Sequence, residues 1–159
     1  MRLAAFALLC LIPALHAQTA EPWKQFDFLL GKWTGVAGEK DTPLGAGQGQ
    51  FSFLPELNRK IVVRRNNASY ASDAQHDDLM IIYLDSPTAP PRAIYFDTEG
   101  HTIQYRITFP EPRHIVFESD PGQPGPAYKL TYWLDGTSLN GKFEVGGKTY
   151  MTWTSRKAG

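Results

Sequence analysis

After Lys32 the apolar residues never recur at helical spacing for more than about one turn, and this confines the chain to a sheet protein. In place of helices stand ten short alternating or apolar runs, over Lys32–Ala37, Gly47–Leu54, Lys60–Asn66, Asp78–Leu84, Arg92–Phe96, Thr102–Phe109, His114–Glu118, Ala127–Leu134, Ser138–Val145 and Lys148–Arg156. Each is near the usual strand length of about five or six residues. Turn formers divide them: Pro43 and Gly45, Pro55 to Asn58, Asp73 to Asp78, Ser86 to Pro91, and the stiff Pro121–Pro126 tract. Tighter hairpins are expected at Glu99-Gly100, Asp135-Gly136 and Gly146-Gly147. Strands joined by short turns are antiparallel neighbours, and this many in one domain curl until the first meets the last. The fold class is all-β, an up-and-down antiparallel barrel of about ten strands.

Alternation separates inside from outside. Ile103, Tyr105, Ile107 and Phe109 share one face of their run, and Tyr128, Leu130, Tyr132 and Leu134 do the same in theirs. The run Leu79 to Leu84 is apolar on both faces, so either it lies under a loop or part of the outer wall is covered. Ahead of the strands, Trp23, Phe26, Leu29 and Leu30 recur at helical spacing behind Pro22, which predicts a short N-terminal capping helix ended by Gly31. The large apolar Trp33 follows and needs a partner for its indole N–H.

The first residues set the compartment. Met1-Arg2, the apolar run Leu3 to Leu15 and the small-residue exit at Ala17 have the form of a secretory signal peptide, residues 1–17. A polar linker, 18–22, leads into one domain over 23–157, and the mature chain is expected to be exported, periplasmic or secreted, with no integral membrane segment. The single cysteine, Cys10, lies in the leader, which excludes disulfides, cysteine catalysis and thiolate metal sites from the mature chain. Sixteen Lys and Arg balance sixteen Asp and Glu, so there is no basic stripe and nucleic acid is not an expected partner.

Three stretches carry a resemblance: Phe26-Asp27-Phe28-Leu29-Leu30-Gly31-Lys32-Trp33, Tyr95-Phe96-Asp97-Thr98-Glu99-Gly100-His101, and Thr152-Trp153-Thr154-Ser155-Arg156. With Gly31-Lys32-Trp33 opening a meander, the chain resembles the calycin group of lipocalins, fatty-acid-binding proteins and nitrobindin-like barrels. It is most similar to a bacterial family of unknown function with a Phe-x-Phe-Leu-x-Gly-x-Trp opening. The lipocalin resemblance implies that Trp33 packs under a basic residue of the last strand, carried here onto Arg156. Nitrobindins bind haem through a histidine near the C-terminus, and no histidine stands there in this sequence, so that ligand has no counterpart. His101 is the single nominee for a haem alternative.

The barrel itself implies an interior cavity, because ten strands enclose more space than side chains fill. Its expected occupant is a small, mainly apolar molecule, and the candidate ligand-binding residues are Arg65, Tyr83, His101, Tyr105 and Trp153. Arg65 shares parity with Ile61 and Val63, which allows it to point inward, where a guanidinium suits a carboxylate; an internal salt bridge near a barrel end or an outward charge is the alternative. If the turn after Asp97 places Gly100 fourth, Asp97 and His101 face each other; a turn centred on Glu99-Gly100 instead pairs His101 with Thr98. The first register would permit an acid–base pair, and an enzyme using Asp97 and His101 is the alternative to a binding protein; a structural or partner-binding domain is a further one. His76-Asp77-Asp78 reads as a solvated acidic loop, and no metal site or cofactor is assigned. No nucleophile elbow, phosphate loop, zincin or dinucleotide motif occurs.

Overall fold

The structure, a computed structural model, describes residues 22–159. The expected signal peptide, and all of the linker but Pro22, lie outside the described residues. Ten strands follow in chain order: β1 (Gly31–Ala37), β2 (Gly47–Glu56), β3 (Ile61–Tyr70), β4 (Gln75–Tyr83), β5 (Arg92–Asp97), β6 (Thr102–Thr108), β7 (His114–Ser119), β8 (Tyr128–Asp135), β9 (Ser138–Val145) and β10 (Lys148–Lys157). Each pairs antiparallel with the next, and β10 returns to β1 through Trp33 opposite Lys157 and Gly35 opposite Ser155, closing the barrel.

The expected capping helix is a single 3-10 turn, Lys24–Phe26. Its bonds span three residues, from the Phe26 N–H to Trp23 O at 3.0 Å and from the Leu29 N–H to Phe26 O at 2.9 Å. Phe26 and Leu29 are both fully buried, and the chain must enter β1 at once through Gly31, whose φ of 125° suits glycine. The tighter winding sinks both side chains within so short a span. Phe26 meets Phe109 edge-on at 5.1 Å, and with Leu29 and Trp33 it plugs one end of the barrel.

The carried-over tryptophan partner is corrected. The Trp33 indole donates to Leu29 O at 2.8 Å, and the cation over its ring, at 5.5 Å, is Lys157. Arg156 is exposed and opposite Thr34, because one step along a strand reverses the face. From this plug upward Phe53, Ile82, Ile107, Ile115, Phe117 and Leu139 fill the interior. The run from Leu79 divides: Met80 and Ile82 enter the core, whereas Leu79 and Ile81 stand half-buried on the outer wall, with Ile81 in register between Val63 and Ile94.

Strands β3 and β4 are longer than the sequence indicates. Asn67 to Tyr70 continue β3, and the expected acidic loop His76-Asp77-Asp78 is the start of β4, paired with Ala68, Asn67 and Asn66. The turn between them contracts to Ala71–Ala74, with Asp73 at a positive φ of 63°. Pairing on both sides overrides the weak strand preference of Asn and Asp.

Candidate functional site

The half of the barrel away from the plug is not filled. It holds a cavity of about 480 Å³, formed by the end of β3, the start of β4, the β5–β6 hairpin and the facing ends of β1, β2, β8, β9 and β10. Phe51, Ile103, Leu130, Phe143 and Trp153 give it apolar walls. Trp153 reaches inward over Gly141 of β9, where an added Cβ would lie 2.1 Å from the indole; only a glycine lets the ring stand there.

The floor is polar and buried. Arg64 sits opposite Phe53 and Met80, both core residues, so its side chain points into the barrel and is 6% exposed. Its Nη1 donates to Asp78 of β4, itself 2% exposed, and its Nε donates to Tyr132 Oη at 3.1 Å. The guanidinium also lies 5.7 Å from the Phe51 ring centroid. Burial would lower the Arg64 pKa, yet Asp78 and Tyr132 outweigh it and raise it; burial would raise that of Asp78, and Arg64 with His76 bring it below the usual carboxylate range. Burial also raises the hydroxyls of Tyr95, Tyr105 and Tyr132, which stay neutral donors.

From this floor a chain of contacts climbs to the mouth. Asn66 Nδ2 and His76 Nε2 reach Asp78 Oδ2 at 3.0 and 3.2 Å, and Tyr95 Oη lies 3.1 Å from the same His76 nitrogen. His76 Nδ1 is 2.9 Å from Glu99 Oε2. The Asp78 contact, followed by that of Glu99, raises the His76 pKa to about 9 against the cost of burial. At the rim, the β5–β6 hairpin adopts the register that sets Asp97 opposite His101, with Gly100 at a φ of 89°. Asp97 Oδ1 accepts the His101 N–H and Oδ2 lies 2.8 Å from its Nδ1. Burial works against the Asp97 carboxylate, but these His101 bonds hold its pKa below the usual range.

Of the residues singled out in the sequence, His101, Tyr105 and Trp153 line this cavity. Arg65 does not: its side chain is 63% exposed, on the outer wall near Glu56. The reason is parity, since Val62 and Val63 are both buried and the apolar run does not say which of them faces in. Tyr83 also faces outward, opposite Arg92 and on the opposite pleat from Met80 and Ile82. Sequence reasoning missed Arg64, His76, Asp78 and Tyr95. The available signal was pairing between a basic residue after an apolar run and an aspartate before the next, fourteen positions apart.

No protein-family model and no curated protein matches the chain. Solved structures do. Rv2717c from M. tuberculosis superposes with a TM-score of 0.63 at 12% identity, covering 88% of this chain and 99% of its own. Secretory abundant heat soluble protein 4 from Ramazzottius varieornatus gives 0.53 at 15%, covering 89% and 98%. The fold is consistent with a calycin-like barrel. At these identities the likeness concerns the fold alone.

Neither of the two histidines at the cavity fits the haem that the nitrobindin resemblance implies. A histidine that ligates haem offers a free ring nitrogen to an apolar space. His76 is enclosed by Asp78, Glu99 and Tyr95, and His101 is half exposed at the rim with Nδ1 turned to Asp97. Carboxylates therefore occupy the ground that a macrocycle would cover.

Proposed function

We propose that this protein holds one small, neutral, mainly apolar molecule in the open half of its barrel. The observation that carries this reading is the cavity, whose volume of about 480 Å³ is that of a small-molecule pocket. An apolar body lies against Phe51, Leu130, Phe143 and Trp153, and burial there supplies the affinity at about 25 cal/mol per Å². A hydrogen-bonding group on the ligand orients toward Arg64 and Tyr105 at the floor. Neutrality follows from charge: Asp78 already compensates Arg64, and Asp97 and Glu99 line the approach, so an anionic head would meet carboxylates on its way in. A carboxylate clamp of the kind expected from Arg65 is therefore not part of the proposal. The leader over residues 1–17 supports a carrier or scavenger working outside the cytoplasm.

The test is a titration of the purified protein with Nile red, a neutral apolar dye, and with dansyl-labelled undecanoate, an anionic one, read as energy transfer from tryptophan. Saturable binding of one Nile red per chain, tighter than the anionic probe, is expected. Absence of saturable binding by either dye overturns the cavity reading, and tighter binding of the undecanoate overturns the neutral ligand class.

A further inference from the structure

At the cavity mouth three carboxylates converge. Asp78 and Asp97 are directly opposed across β4 and β5, and Glu99 follows in the next turn. Opposed like charges destabilise a sheet, and Arg64 offsets only the deepest of them. His76 stands among all three. One ligand atom each from His76, Asp97 and Glu99 lies within 4.8 Å of the others. We propose that His76, Asp97 and Glu99 form a binding site for a divalent transition-metal ion of the zinc class at the rim of the cavity.

The second observation is the way His76 is held. Asp78, buried beneath it, takes Nε2, which leaves Nδ1 directed at Glu99. A buried carboxylate on the far nitrogen is the arrangement that fixes the tautomer of a metal-bound histidine and raises its basicity. Spacing agrees for the His76–Glu99 pair, and Asp97 lies within 4.8 Å of both. Two ligands about 2.0–2.1 Å from a tetrahedral zinc stand about 3.3 Å apart, and His76 Nδ1 lies 2.9 and 3.1 Å from the two Glu99 oxygens. The ion replaces the proton on Nδ1, and two carboxylates with a neutral imidazole balance its charge.

The scaffold is firm at this point. The Thr98 N–H donates to Asp77 O at 3.1 Å, tying the hairpin tip to β4, and the His101 N–H and ring hold Asp97 in place. Imidazole with carboxylates, and no thiolate, suits zinc, cobalt or manganese rather than copper(I). The site lies at the rim of the same cavity, and its remaining coordination positions are left for water or a ligand atom.

The experiment is isothermal titration of the metal-stripped protein with Zn²⁺, with Co²⁺ absorption as a second readout. One ion per chain is expected, with visible cobalt bands. Glu99→Gln and Asp97→Asn, checked for folding by near-UV circular dichroism, are expected to weaken uptake by about tenfold or more, and Asp78→Asn by about 10- to 100-fold. Glu111→Gln, at the plugged end, leaves uptake unchanged. Lack of saturable uptake overturns the proposal, and so does uptake that Glu99→Gln leaves intact. Nile red binding, measured on the same metal-free protein, reports separately on the cavity.

Discussion

Replacing Arg64 by methionine tests the polar floor, because it keeps the aliphatic stem and deletes the charge. Asp78 is then left 2% exposed without its guanidinium, and Tyr132 loses the donor at 3.1 Å. Removing one partner of a buried pair costs about 3–5 kcal/mol. Asn66 and His76 still reach Asp78 Oδ2, which places the expected loss at the lower end, about 3 kcal/mol. At about 2–4 °C per kcal/mol for a domain of this size, the Tm falls by about 6–12 °C. The assay is urea unfolding of the parent, Arg64→Met, Asp78→Asn and the double variant, closing a mutant cycle. The double variant recovers much of the single loss, since no unpaired charge stays buried. A loss below about 1 kcal/mol in Arg64→Met, the level of an exposed ion pair, would refute the reasoning, as would a cycle without coupling.

Other outcomes follow from single contacts. Arg65→Ala, on the outer wall, changes stability by no more than about 0.5 kcal/mol and leaves Nile red binding intact in the same titration. Gly141→Ala forces its methyl into the Trp153 ring, costs about 1–3 kcal/mol by urea unfolding and weakens probe binding by displacing that wall. In metal-free buffer, His76 contributes stability because its folded pKa of about 9 exceeds its ordinary 6.5. That contribution is complete below about pH 6.5 and is lost as the pH rises through about 9, a window that urea midpoints resolve and that His76→Gln abolishes.

The barrel was legible because its strands carry their own period. In β6, Ile103, Tyr105 and Ile107 alternate with exposed residues through the whole strand, and Gly100 marks the hairpin before it. The site was not legible, for reasons equally local. Val62 and Val63 break the alternation that would have assigned Arg64 to the interior and Arg65 to the outside. His76, Asp77 and Asp78 look like a loop because polar residues that face a cavity and polar residues that face water share one composition. Of the two adjacent aspartates, Asp78 points in and Asp77 does not. The remaining carboxylates come from the β5–β6 hairpin, some twenty positions on, and only the β4–β5 pairing brings them there. The spacing of Phe26 and Leu29 reads as a helix, but the entry into β1 at Gly31 leaves space for a single 3-10 turn only.

The central claim is that the open half of the barrel is a ligand cavity, and the most direct test fills it. Ala68 lines the cavity on the inward face of β3, so Ala68→Phe places a ring in the space with little demand on the plugged half. Nile red titration of the two proteins, with unfolding curves to establish that both fold, is predicted to show one saturable site in the parent and a loss of binding in the folded variant. Equal binding by both proteins would contradict the account, because the dye would then lie somewhere other than this cavity.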